Sequence, residues 1–73
     1  MSKADKMFEE LGYEKKETMI GEIHKHKRKC VDLYFIRPSE EIEVEYYGDK
    51  KNYFNMQELQ AIYEKCKELG WLE

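Results

Sequence analysis

Apolar residues recur along this chain with two different periods. At the N-terminus, SKADKMFEELG (residues 2–12) places Ala4, Met7, Phe8 and Leu11 at helical spacing, which predicts an amphipathic helix. Ser2 is its expected N-cap, with Asp5 three residues on. Gly12 is its expected left-handed stop, and Tyr13 follows as the residue that folds back. FNMQELQAIYEKCKELGW (54–71) repeats the design with Met56, Leu59, Ile62, Tyr63, Cys66 and Leu69 as the stripe. Asn55 and Glu58 form a capping box, Phe54 and Leu59 a hydrophobic staple, and Gly70 the stop.

Between the helices the period falls to two. CVDLYFI (30–36) puts Val31, Leu33 and Phe35 on one face and Cys30, Asp32, Tyr34 and Ile36 on the other. EIEVEYY (41–47) turns Ile42, Val44 and Tyr46 inward and Glu41, Glu43, Glu45 and Tyr47 outward. RPSE (37–40) is the connecting turn, and a four-residue loop there sets Phe35 opposite Ile42, Leu33 opposite Val44 and Val31 opposite Tyr46. TMIGEIHKH (18–26) alternates poorly, because Met19, Ile20 and Ile23 are its apolar residues and Gly21 interrupts. It reads as an edge strand with a bulge. YGDKKN (47–52) reads as a turn into the last helix. The expected fold is a single α+β domain over 1–73: helix, three-stranded antiparallel meander, helix, with both helices on one sheet face. Leu11, Leu33, Phe35, Val44, Leu59, Ile62 and Leu69 are the expected core.

Composition bounds this reading. The chain has 73 residues, 41% hydrophobic and 40% charged. A domain of that size buries only about 60–65% of its unfolded surface. No run approaches the roughly 20 apolar residues of a spanning helix, and MSKADKMFEE has no apolar core of a secretory signal. A cytoplasm is therefore the expected compartment, with no membrane role. Cys30 and Cys66 are the only cysteines, so reduced thiols are expected rather than a disulfide framework.

Candidate chemistry concentrates in GEIHKHKRKC (21–30). His24 and His26 point to the same side of a strand, and Cys30 lies close by, which makes these three the candidate metal ligands. Zinc needs three or four ligands with supporting groups, and the third here is Cys30, or Asp32. No second ligand cluster accompanies them. Lys25, Lys27, Arg28 and Lys29 are the candidate phosphate contacts of a nucleic-acid binder, with Tyr34 and Tyr47 as stacking surfaces. Residues 20–38 carry five cations against two anions, a local balance of +3, but the whole chain is −3 and Glu41, Glu43 and Glu45 share the tyrosines' face. That charge argues against nucleic acid. No nucleophile elbow, Gly-rich phosphate loop or paired-carboxylate cleft points to catalysis or to a cofactor. The outward Tyr34, Ile36 and Tyr47, or the edge strand at 19–26, are the expected contact surface, for a second copy or another protein.

DKMFEELGYEK and MQELQAIYEKCKELGWLE, flanking a short strand meander, resemble small uncharacterised phage and prophage proteins of Gram-positive bacteria. The likeness spans roughly the whole chain and rests on helix caps and stripes. It implies an accessory protein of a phage or prophage, meeting a host or phage protein in the bacterial cytoplasm. The family carries no assigned activity, cofactor or catalytic residue, so no site residue transfers from it. The reading is a non-catalytic protein-interaction module, with nucleic-acid binding by the 25–29 hairpin as the alternative and metal binding third.

Overall fold

A computed structural model describes residues 1–48 and 54–72. Along them run α1 (Lys3–Glu10), β1 (Glu14–Thr18), β2 (Gly21–His26), β3 (Val31–Ile36), β4 (Glu41–Tyr46) and α2 (Met56–Glu68). The strands form one antiparallel sheet in the order β1-β2-β3-β4. The fold is α+β, but the sheet has four strands and not the three expected. The missed strand is EKKET, which has no apolar residue and so shows no period of two. Its neighbour is shorter than expected. Thr18 pairs with Gly21, so Met19 and Ile20 form a two-residue hairpin instead of a bulged edge. Gly21 answers to a close approach: a Cβ there would lie 1.8 Å from the Phe35 carbonyl oxygen.

The helix ends follow local rules. Ser2 accepts the Asp5 N–H at 3.0 Å. Asn55 and Glu58 exchange both bonds of a capping box at 2.9 Å each. Gly12 (φ +101°) and Gly70 (φ +78°) are left-handed, and Tyr13 and Trp71 donate their N–H groups to Phe8 and Cys66. Both helices therefore close with the same Schellman stop. The β3–β4 register sets Phe35 opposite Ile42, Leu33 opposite Val44 and Val31 opposite Tyr46, as the loop length implies. The expected turn at 47–52 falls largely outside the described residues.

The core is small: Ala4, Phe8, Tyr13, Val31, Leu33, Phe35, Ala61 and Cys66. Both helices pack on the face that Val31, Leu33 and Phe35 share, with Leu11, Ile62 and Leu69 half-buried at its margin. Phe8 of α1 stacks on His24 of β2 at 4.3 Å, and Trp71 beyond α2 meets Phe35 of β3 at 6.3 Å. This layer stops short of β4. Val44 is 48% exposed and Leu59 52%, which removes both from the expected core. The alternation along β4 reports which face its apolar residues share. Two helices of 8 and 13 residues pack over the first three strands, and among the described residues no helix covers that face at β4, where Ile42, Val44 and Tyr46 are exposed.

Candidate functional site

The residues of GEIHKHKRKC disperse. His24 and His26 do point to one side of β2, but that side faces the helices, because they pair with the inward Leu33 and Val31. The His26 ring is held at both nitrogens: Nε2 lies 3.1 Å from the Leu11 carbonyl oxygen, to which it donates, and Nδ1 accepts the Lys29 N–H. Cys30 sits in the β2–β3 turn at φ +53°, and its thiol points to the Lys27 carbonyl. The three candidate ligands are not brought together. Of the four cations, Lys25 pairs with Asp32 and Lys29 with Glu58. Lys27 and Arg28 are exposed in the turn with no ion pair among the described residues.

His24 instead enters a buried ionic cluster assembled from four elements. Asp5 comes from α1, Lys15 from β1, Glu22 and His24 from β2, and Lys65 from α2. Lys65 is 3% exposed, and its Nζ lies 2.7 Å from both Asp5 and Glu22. Lys15 reaches Asp5 at 2.8 Å, and His24 Nε2 reaches Glu22 at 2.8 Å. Burial alone would raise both acids, but hydrogen bonds from Lys15 and Lys65 hold Asp5 at about 2, and those from His24 and Lys65 hold Glu22 at about 2. Burial would lower Lys65, yet the same carboxylates push it above its usual value. A carboxylate only accepts, so His24 Nε2 is the donor. Its Nδ1 is buried without a partner among the described residues.

Asp5, Glu22 and His24 are the one grouping of metal-ligand side chains among the described residues, with ligand atoms within 4.8 Å of one another. Lysine ammonium groups already occupy the carboxylate oxygens that a cation would need. Lys15, Lys65 and Arg37 are shared among Asp5, Glu17 and Glu22, and a divalent ion would have to displace the buried Lys65. The cluster borders a cavity of about 410 Å³ beside Tyr13 and Glu14. The Tyr13 hydroxyl beside it is bonded to Glu58. Its chemistry is a clasp between helices and sheet.

A second clasp centres on Glu58. This buried carboxylate accepts from the Asn55 N–H, the Tyr13 hydroxyl and Lys29. Burial and the Glu58 charge raise the Tyr13 phenol far above its usual value, and Lys29 and Tyr13 hold Glu58 below its own.

The outer sheet face carries the expected contact residues. Tyr34 and Ile36 are half-buried there, and Tyr47 is exposed. Both hydroxyls are engaged, Tyr34 with Glu45 and Tyr47 with Asp32. The larger apolar exposure is on the opposite face. Ile42 (39%), Val44 (48%) and Tyr46 (41%) form an open floor there. One wall is α2. Its Gln57 and Gln60 border α1, and Glu64 and Glu68 pair with Lys3 and the Ala4 N–H. At roughly 100° per residue, Leu59, Tyr63 and Cys66 fall on the flank away from α1, the side of β4. Leu59 and Tyr63 are 52% and 55% exposed. Among the described residues an apolar trough therefore lies between the exposed side chains of α2 and those of β4. Alternation marked its residues as inward, and nothing local in the sequence tells that the inward face is uncovered.

No family model, curated protein or solved structure matches the chain. Among the described residues no helix is long and apolar enough to cross a membrane.

Proposed function

We propose that this chain is a non-catalytic protein-interaction module whose contact surface is the trough between α2 and β4. The observation that carries this is the exposure of Ile42, Val44, Tyr46, Leu59 and Tyr63 on one face. Contiguous apolar surface of this kind on a small domain marks a contact site far more often than isolated exposed residues do. The outer face is the weaker surface, because its tyrosine hydroxyls are already bonded and three glutamates lie among them. The resemblance of the helix ends to phage and prophage proteins supports a bacterial host cytoplasm as the setting.

The test is co-purification from cells producing a tagged chain. A stoichiometric band, whether untagged copy or another protein, should be held by wild type and by Tyr34→Glu and lost with Val44→Lys. Equal recovery by all three, or none by wild type, contradicts the reading. The second reading is phosphate binding by the exposed Lys27 and Arg28. It requires DNA or RNA affinity that falls steeply with salt and that Arg28→Glu abolishes.

A further inference from the structure

The trough contains a floor and a ridge on the same molecule. Ile42, Val44 and Tyr46 are the floor, and the α2 flank bearing Leu59 and Tyr63 stands beside it as the ridge. Such a patch is self-complementary about a two-fold axis, since each ridge can enter the other molecule's trough. We infer that a second copy of this chain covers the trough, with α2 of each protomer seated over β4 of its partner. The inference rests on the reading of the trough as the contact surface and adds its occupant.

Area supports the choice. An aromatic side chain carries roughly 150–250 Å² and an aliphatic one less, so these five residues, at 39–55% exposure, present on the order of 400 Å² of largely apolar surface. A standard interface buries about 800 Å² per partner, of which a little over half is non-polar. The patch is of that order when the second copy covers all five residues.

Charge supports it as well. The acids of β4, Glu41, Glu43 and Glu45, lie on the opposite face and do not enter the contact. At the ridge Lys67 is paired within its helix to Glu64 and rests over the Tyr63 ring. Edge pairing between two copies is disfavoured by the same acids. Tyr47 donates its N–H to Cys30, so the backbone groups of Glu41, Glu43 and Glu45 turn toward β3 and those of Ile42, Val44 and Tyr46 toward the open edge. An antiparallel β4–β4 ladder centred on Val44 would set Glu43 opposite Glu45 twice, and like charges in that position repel. The two copies therefore meet through their faces.

Sedimentation equilibrium from low to high micromolar concentration is the test. Wild type and Tyr34→Glu should rise from 8.9 kDa toward twice that mass. Val44→Lys and Leu59→Glu, both at half-exposed positions, should weaken association by at least about tenfold. An equimolar mixture of these two variants should recover part of it, because the opposite charges introduced at positions 44 and 59 meet across the interface. A monomeric wild type, or an undiminished dimer in either folded variant, overturns the inference. Isotope-filtered NOEs between β4 methyls and the Tyr63 ring of another copy test it on the wild type, should a variant fail to fold, and their absence from a dimer also overturns it. A monomeric wild type that still co-purifies a different protein through Val44 removes the second copy while leaving the trough as a contact surface.

Discussion

Lys65→Met removes the ammonium group on which the buried clasp closes and keeps most of the side chain's volume. Asp5 and Glu22 then lose their 2.7 Å contacts and face each other with Lys15, His24 and Arg37 as the remaining donors. The net fall of Asp5 from 3.8 and of Glu22 from 4.5 to about 2 each corresponds to about 6 kcal/mol of stabilisation by all their partners together, at about 1.4 kcal/mol per tenfold change. Lys15 and His24 supply part of that stabilisation, so the expected cost is about 3 kcal/mol, at the lower end of the range for breaking a buried pair. A domain of this length has a total stability of about 4–11 kcal/mol. The pH dependence carries a sign. Both acids titrate lower in the folded chain than in the unfolded one, so their contribution is fully present above about pH 4.5 and is lost as pH falls towards 2. The gap between wild type and Lys65→Met should therefore be widest at neutral pH and narrow over that window. Urea titrations followed by circular dichroism at pH 7, 4 and 3 measure it. A cost under about 1 kcal/mol, or one independent of pH, would refute the argument that the clasp is a charge-balanced unit.

Other substitutions test the remaining elements. Leu33→Ala, at a fully buried position, should cost about 2–5 kcal/mol in denaturant unfolding, and a change under about 0.5 kcal/mol contradicts its place in the core. Gly70→Ala should destabilise by about 1–2 kcal/mol, because φ is +78° there although space for a Cβ is open. Glu40, at φ +52° in the β3–β4 turn, should gain up to about 1 kcal/mol on replacement by Gly, read as a higher melting temperature.

Features that depend on neighbours in sequence were legible. Ser2, Asn55 with Glu58, Gly12 and Gly70 signal their caps within a few residues. The β3–β4 register follows from a four-residue loop and two alternating strands. β1 was hidden because its inward positions are Lys15 and Glu17, which satisfy ions and not a hydrophobic core. The clasp was hidden for a related reason. Asp5, Glu22 and Lys65 lie far apart in sequence, and each looks like an ordinary surface charge. One signal was available: His24 and His26 share a strand face, and the strand paired to theirs turns Leu33 and Val31 to the same side. A register drawn through both strands places the imidazoles in the core and away from solvent or a metal. Coverage was the other hidden quantity. Val44 and Leu59 have the pattern of core residues, and only the reach of two short helices decides that they lie at the rim.

Site-specific photo-crosslinking in cells tests the contact surface most directly. A benzophenone side chain at Val44 should give a discrete covalent product, and the same group at Tyr34 on the opposite face should give little. A product from Tyr34 and none from Val44 would contradict the account, as would silence at both positions.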